Sequence, residues 1–128
     1  MIYLIDASAI ICMLWDEPGA DVVIERADRA CMSAVNFSEV SIRLARAGLD
    51  PRELLEDVLE FGIDVLDFDF RCSMRLIEVQ AHERRIGVRL SLGDRCCLAT
   101  AMAEDLPILT ADREWSRFAD LVDIQFVR

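Results

Sequence analysis

Short apolar runs alternate with helical patterns along the whole chain, and this alternation limits the possible folds more than any other feature of the sequence. Five runs have the length and residue types of strands, at residues 2–6, 31–34, 63–66, 107–110 and 122–127. Helical patterns lie between them, at residues 7–15, 18–28, 36–47, 50–61, 69–84, 94–104 and 113–118. Such alternation predicts an α/β fold of three layers, in which a mainly parallel, twisted sheet of about five strands carries helices on both faces.

Size and composition predict a single domain spanning residues 1–128. The chain is 54% hydrophobic and 30% charged, as expected for a globular domain with a large core. No apolar stretch approaches the roughly 20 residues that cross a bilayer, and the start lacks a basic segment typical of a secretory signal. We therefore expect a cytoplasmic protein that does not contact membranes. The five cysteines form no C-x-x-C pair, and we expect them to be small buried hydrophobic residues.

Four acidic residues occupy positions that a parallel sheet brings together. Asp6 follows the first predicted strand, and Asp112 follows the strand at residues 107–110. Glu39 and Asp94 lie near the starts of helices that follow strands or loops at the same edge. In an open α/β sheet these positions share the crevice at the carboxyl ends of the strands. Carboxylates in one crevice repel each other unless a cation lies between them, so the pattern predicts a divalent metal site.

Helix capping offers another explanation for three of these acids. Asn36-x-x-Glu39 and Ser91-x-x-Asp94 have the form of capping boxes, and Asp112 suits the N-cap of the following short helix. Asp6 has no such explanation, because an aspartate that closes a buried strand costs several kcal/mol unless it is paired or bound to metal. The net charge is −10 and all 14 basic residues are arginines, so no lysine is available to pair with the acids. The acidic balance also argues against a non-specific nucleic-acid coat protein.

These residues resemble those of PIN-domain nucleases, and within that family the VapC-type toxins of toxin–antitoxin pairs. The resemblance covers about Ile2 to Phe118 and rests on four ordered segments: Ile5-Asp6-Ala7-Ser8, Asn36-Phe37-Ser38-Glu39, Leu92-Gly93-Asp94, and Leu109-Thr110-Ala111-Asp112-Arg113 with Trp115 behind it. Many relatives carry a further acid or asparagine after the last aspartate, where this chain offers Glu114 and Ser116. The resemblance implies a type II toxin that is an Mg²⁺- or Mn²⁺-dependent endoribonuclease, with RNA as its substrate and a cognate antitoxin as its partner.

The same reading assigns a role to each candidate residue. Asp6, Asp94 and Asp112 are the expected metal ligands, and Glu39 is the candidate for orienting or deprotonating the attacking water. Hydrogen bonds to a ligating carboxylate or a metal-bound water are expected from Ser8, Asn36 and Thr110, although hydroxyls at such positions bond equally often to turn backbone. The candidates for contact with substrate phosphate are Arg43, Arg46, Arg95 and Arg113. For Arg43, a surface ion pair with Glu39 is an equally good explanation.

Partners and rival functions follow from the remaining features. We expect a homodimer, and the apolar segment Met13–Trp15 suits an antitoxin groove, a dimer interface or the protein's own core. A receiver-type signalling domain would need a late lysine, and the chain has neither G-x-x-x-x-G-K nor G-x-G-x-x-G. A phosphatase with an aspartyl nucleophile would need an aspartate where Ser8 stands. The remaining alternative is a non-catalytic PIN-like scaffold with a vestigial acidic pocket.

Overall fold

Five short strands form one parallel sheet in the computed structural model, which describes all 128 residues. The strands are β1 (Tyr3–Ile5), β2 (Ala30–Ser33), β3 (Asp64–Leu66), β4 (Ile108–Thr110) and β5 (Ile124–Phe126). Their order across the sheet is β3-β2-β1-β4-β5, and every neighbouring pair runs parallel. The predicted α/β fold with a five-stranded parallel sheet is confirmed.

Six α-helices connect the strands, as parallel pairing requires. They are α1 (Ala7–Leu14), α2 (Ala20–Arg26), α3 (Ala34–Arg46), α4 (Pro51–Phe61), α5 (Phe70–Ile86) and α6 (Leu92–Glu104). Two 3₁₀ segments, Ala27–Arg29 and Arg113–Phe118, precede β2 and β5. No helix has the length and apolar character needed to cross a membrane.

Strand side chains alternate between two hydrophobic cores, one on each face of the sheet. On one face, Tyr3 and Ile5 of β1 and Met32 of β2 pack with residues of α1 to α4. On the other face, Leu4 and Ile108 pack with residues of α5, α6 and the second 3₁₀ segment. Because both faces are covered, the central strands are apolar except at the carboxyl ends of β2 and β4, where Ser33 and Thr110 lie. All five cysteines are buried, as the sequence predicts.

The order of connections reverses at β1, and this reversal fixes where a ligand crevice can form. From β1 the chain moves outward to β2 and β3, and then returns to place β4 and β5 on the other side of β1. Such a switch point opens a crevice at the carboxyl ends of the two central strands. Asp6 directly follows β1, and Thr110 is the last residue of β4. The fold therefore places two of the predicted site residues at this crevice.

Helix α3 begins earlier than the sequence predicts. Ser33, at the end of β2, is its N-cap, and the Ser33 hydroxyl accepts a hydrogen bond from the Val35 amide at 3.2 Å. The prediction that Asn36 caps this helix is therefore wrong, because Ser33 already provides the cap three residues earlier. Asn36 lies within the first turn of α3 and is fully buried. Its side chain is free for another role.

Other element boundaries differ by one to two residues at most ends. The second helix begins at Ala20 rather than at Pro18, because Gly19 adopts a left-handed conformation with φ of 101° that ends the preceding turn. Helix α6 begins at Leu92, with Ser91 as its N-cap. The last strand is restricted to Ile124–Phe126, at the edge of the sheet beside β4.

Candidate active site

Asp6 lies at the centre of the crevice and is held by four hydrogen bonds. Its Oδ1 accepts from the Ala9 amide at 2.9 Å and from the Ser8 hydroxyl at 2.8 Å. Its Oδ2 accepts from the Thr110 hydroxyl at 2.6 Å and is 2.9 Å from the Ser8 hydroxyl. Asp6 is also the N-cap of α1. It therefore has a structural role as well, contrary to the expectation that capping explains only the other three acids. These donors fix the carboxylate in one orientation.

Ser8 and Thr110 join the ends of β1 and β4 into one network. Their hydroxyl oxygens lie 3.1 Å apart, and the Ser8 hydroxyl accepts from the Ala111 amide at 3.1 Å. The Thr110 hydroxyl accepts from the Asp112 amide at 3.0 Å. Each hydroxyl thus bonds both the Asp6 carboxylate and the turn backbone, so the two alternatives raised by the sequence occur together. The network sets the start of the Asp112 segment relative to Asp6.

Burial makes the charge on Asp6 costly in the metal-free protein. The residue is 2% exposed, and this burial raises its pKa from 3.8 to about 6 despite the hydrogen bonds that favour the ionised form. Asp94 adds to the increase through charge repulsion. No arginine lies within 4.0 Å to offset the charge. A bound cation would remove this penalty.

Glu39 lies against the start of α6, where the Asn36 side-chain amide binds it and Gly93 leaves space for its carboxylate. The Asn36 side-chain amide donates to Glu39 Oε1 at 2.7 Å and to the Gly93 carbonyl at 3.2 Å. A Cβ atom at Gly93 would overlap the Glu39 carboxylate, so only glycine leaves space for it. Asn36 therefore links α3 to α6 and keeps the Glu39 carboxylate beside Gly93, the residue that precedes Asp94. Its own Oδ1 is buried and accepts no hydrogen bond.

Asp94 stands between the other acids. Burial, and next the negative charge of Glu39, raise its pKa, and Asp112 contributes in the same direction. The Ser91 hydroxyl accepts from the Asp94 amide at 3.2 Å, which is half of the predicted capping box. Asp94 therefore interacts electrostatically with each of the other three acids. Its charge raises the pKa of Asp6, and the charges of Glu39 and Asp112 raise its own pKa. Such interactions are expected of side chains that share one crevice.

Asp112 lies opposite Asp94 across a small cavity. The two acids line a space of about 60 Å³ together with apolar residues that include Leu90 and Trp115. As predicted, Asp112 caps the 3₁₀ segment, and its Oδ1 accepts from the Glu114 amide at 2.9 Å. Capping uses one oxygen and leaves the other directed elsewhere. Capping and a role in the site are therefore compatible at this residue.

The donor set fits a hard divalent cation. Its four carboxylates provide oxygen ligands, and none is paired with an arginine. The charges of Glu39 and Asp112 raise the pKa of Asp94, and the charge of Asp94 raises the pKa of Asp6. Mg²⁺ prefers oxygen ligands, needs only one or two direct carboxylates, and retains several waters. No three acidic, histidine or cysteine side chains are grouped in ligand positions, so the acids are near one another without forming a closed metal cluster.

The four candidate arginines lie in different surroundings. Arg95 Nε donates to Glu83 Oε1 at 2.8 Å and its Nη2 donates to Glu83 Oε2 at 3.1 Å, so its fork is already bound. The Arg113 guanidinium lies 4.5 Å from the centre of the Phe126 ring. Arg43 and Arg46 line a surface depression with Glu39, and neither forms a salt bridge. The alternative ion pair between Arg43 and Glu39 is absent, which favours these two arginines as phosphate contacts.

Gly93 is the functional position that the sequence reasoning did not single out. Gly93 belongs to the Leu92-Gly93-Asp94 segment, which predicts a role for Asp94 and none for the glycine. The available signal was a glycine inside a helix, which costs stability relative to alanine and so indicates a packing or functional need. Its partner, the carboxylate from α3, is 54 residues away and is not visible in the sequence.

Comparison with known proteins supports the fold independently. The family model described as PIN domain matches residues 3–121. No curated protein matches the chain at a significant level.

Solved structures with the same fold include three VapBC structures. DNA-bound VapBC from Salmonella typhimurium has a TM-score of 0.76 at 19% identity, covering 100% of this chain and 99% of that one. VapBC2 from Rickettsia felis, bound to a promoter DNA fragment, has a TM-score of 0.77 at 14% identity, with 98% of each chain covered. VapBC-1 from nontypeable Haemophilus influenzae has a TM-score of 0.77 at 18% identity, covering 99% and 98%. At such identities these likenesses establish the fold alone.

The substitution Asp6→Asn should stabilise the metal-free protein. Because the pKa of Asp6 is about 6 when folded and 3.8 in its ordinary state, the unfolded chain releases this proton first as the pH rises. The wild-type free energy of unfolding therefore loses a contribution of up to about 3 kcal/mol between roughly pH 4 and pH 6. Asp6→Asn lacks this loss, so we expect it to be more stable by about 1–3 kcal/mol near pH 7 and no more stable below about pH 4.

Urea unfolding in EDTA at several pH values measures this difference. Asp120→Asn, which changes an exposed acid, is the matched control. An Asp6→Asn variant that is equally or less stable than wild type near neutral pH would contradict the buried-charge penalty.

Proposed function

Because this chain belongs to the PIN domain family, we propose that it is a metal-dependent endoribonuclease and the toxin of a toxin–antitoxin pair. The observation that carries the proposal is the arrangement around Asp6. A buried carboxylate is oriented by Ser8, Ala9 and Thr110, its neighbours Asp94 and Asp112 are acids, and no cationic side chain balances them. A purely structural role would not require three unpaired acids at the switch point of the sheet.

Each acid has a distinct task in the proposed reaction. Asp6, Asp94 and Asp112 would hold Mg²⁺ or Mn²⁺, which when bound supplies an acidified water and neutralises charge developing on the phosphate. Asp6 is the fixed ligand because its hydrogen bonds hold it in place. Asp94 and Asp112 would complete the ligand set from the start of α6 and from the segment after β4. Ser8 and Thr110 keep Asp6 in its orientation.

Glu39 is the proposed proton acceptor. The attacking water would form a bond to phosphorus and give its proton to Glu39, while the bond to the leaving ribose oxygen breaks and that oxygen takes a proton from solvent water. Asn36 and Gly93 position Glu39 by a donated hydrogen bond and by open space. Arg43 and Arg46, on the same helix and next to Glu39, are the proposed phosphate contacts.

A groove at the opposite end of α1 is the proposed antitoxin site. Leu14, Trp15 and Leu49 line it together with acidic residues of α4 and its N-cap, and Trp15 is 45% exposed. Met13, which the sequence grouped with this surface, is buried in the core. An apolar floor with an acidic rim suits a partner segment that carries both apolar and basic side chains, and the net charge of −10 would speed its capture.

The homodimer stays a prediction, and α5 offers a candidate surface for it. Phe70, Met74 and Ile77 lie at i, i+4 and i+7 along the helix, and all three are exposed. A continuous exposed apolar stripe of this kind is typical of an interaction surface.

Cleavage of RNA should require both a divalent ion and Asp94. We expect the purified protein to cut structured RNA with Mg²⁺ or Mn²⁺ and to lose this activity in EDTA. Asp94→Asn should lower the rate on the order of 100-fold or more, because it removes a ligand charge. Asp120→Asn, at the other end of the sheet, should match wild type. Equal behaviour of wild type and Asp94→Asn would instead support the non-catalytic scaffold.

Gly93→Ala should lower the activity without lowering the stability of the fold. The added methyl group would displace the Glu39 carboxylate, which is the flexible end of its side chain, so the fold can adjust. Alanine also favours the helical backbone over glycine by about 0.5–1 kcal/mol. We therefore expect thermal stability equal to or above wild type, with a kcat lower by about 10- to 100-fold.

Steady-state kinetics and calorimetry on the same Gly93→Ala preparation measure both quantities. The control is Glu39→Gln, which removes the proton acceptor without crowding and should show a similar loss of kcat. A Gly93→Ala enzyme with wild-type kcat would refute the proposed role of the Glu39 position.

Expression should be toxic, and a specific partner should relieve the toxicity. Induction of the wild-type chain in a bacterial host is expected to arrest growth, whereas Asp94→Asn expressed to the same level should not. Co-expression of the small protein encoded beside this chain should restore growth, and Trp15→Ala should weaken that rescue because it removes the exposed ring of the groove. Normal growth with the active wild-type enzyme would contradict the toxin assignment while leaving the nuclease assignment intact.

A further inference from the structure

The largest cavity of the molecule lies outside the acidic crevice. It has a volume of about 560 Å³ and lies between the end of α5 and the start of α6. Its lining is polar and includes Glu83, Arg84, Arg89 and Arg95. We call it the α5–α6 cavity. Three arginines around one glutamate make it locally positive, in a chain whose net charge is −10.

Glu83 does not balance the other two arginines of this cavity. It is buried, and its carboxylate is bound by the Arg95 fork at 2.8 and 3.1 Å and by the Leu90 amide at 2.9 Å. These three bonds use both carboxylate oxygens. The charge of Arg89 also acts on Glu83, but three arginines share this one carboxylate, so the cavity keeps a net positive charge.

Arg84 and Arg89, like Arg46, have no side-chain partner within the protein. Both are exposed, and neither forms a salt bridge, a side-chain hydrogen bond or a stacking contact with an aromatic ring. The chain has 24 acidic residues for 14 arginines, so acidic partners are abundant. Two free guanidinium groups in one cavity are therefore available for an external anion.

The wall of the cavity is fixed by the backbone. Gly87 ends α5 in a left-handed conformation with φ of 72°, and the amides of Gly87 and Val88 both donate to the Glu83 carbonyl, at 2.9 and 3.1 Å. The Glu83 side chain holds Leu90 and Arg95 at the other end of the same loop. The segment that carries Arg89 is thus held at both ends by one residue, which limits the entropy lost on binding.

The cavity adjoins the proposed catalytic crevice. Val88 lines both the α5–α6 cavity and the small space between Asp94 and Asp112. Arg95 directly follows Asp94 in the first turns of α6. A polyanion that places one phosphate at the acids would therefore extend past Val88 into the basic cavity.

We propose that Arg84 and Arg89 form a binding site for the phosphodiester backbone of the RNA strand beside the cleaved linkage. This inference rests on the proposed ribonuclease function and adds the path of the substrate. The contacts are with phosphate oxygens, so they position the strand without reading its bases. They also give an acidic protein a locally positive surface for RNA beside the acidic crevice.

The double variant Arg84→Gln/Arg89→Gln tests the site. Its matched control is Arg52→Gln/Arg75→Gln, which removes the same net charge from exposed arginines elsewhere. The probe is a fluorescent single-stranded RNA of about 12 nucleotides, measured by anisotropy in EDTA so that it stays intact. We expect the cavity variant to bind about 10-fold more weakly than the control, and the slope of log Kd against log salt to fall by about 1 to 2.

Kinetics with Mg²⁺ provide a second measurement. The cavity variant should raise KM with little change in kcat, because the contact is made equally in the ground state and the transition state. Binding and KM equal to those of the control, in an enzyme that still requires Mg²⁺ and Asp94, would overturn the cavity site and leave the nuclease intact. Weaker RNA binding in a protein that never cleaves RNA would support the cavity site and overturn the nuclease.

Discussion

A single buried carboxylate at the end of β1 determines the arrangement of the site. Asp6 is bonded by the Thr110 hydroxyl at 2.6 Å from the neighbouring strand β4, and by the first turn of its own helix. Because β1 and β4 flank the switch point of the sheet, these bonds set the width of the crevice. Asp112 follows from the same network through the Thr110 hydroxyl. The position of the acids is thus a consequence of strand order and two hydroxyl groups.

The protein keeps this carboxylate although it reduces the stability of the metal-free fold. Burial raises the pKa of Asp6 to about 6, and its acidic neighbours add to the repulsion. Structural carboxylates of the same chain behave in the opposite way, since the pKa of Asp50 and of Asp69 is lowered by hydrogen bonds at their helix starts. This contrast separates acids that stabilise the fold from acids retained for another purpose. A buried charge that lowers stability at one site is typical of functional regions.

The sequence predicts the architecture well and the cooperation between helices poorly. Alternating runs are enough for the parallel sheet, because strand residues such as Leu4 and Ile5 face opposite cores. Asp6 directly follows β1 and Asp112 lies two residues after β4, so the sequence alone could place both at this edge of the sheet. The helix-capping role predicted for Asn36 was wrong, and its contact with the Gly93 carbonyl was not predicted, because that contact depends on how α3 packs against α6. The ion pair of Arg95 with Glu83 likewise joins two helices, and no local pattern reports it.

The two hydrophobic cores each contain thiols, which gives the molecule built-in reporters of local opening. Cys12 belongs to the layer of α1 to α4, whereas Cys31 and Cys97 belong to the layer of α5 and α6. Burial raises the pKa of every cysteine, to about 11 for Cys31 and well above the usual value for Cys97, so little reactive thiolate exists in the native state. Alkylation at any one of them must wait for its layer to separate from the sheet. Local opening on the two sides of the sheet can therefore be followed independently through the native cysteines, without introducing a labelling site.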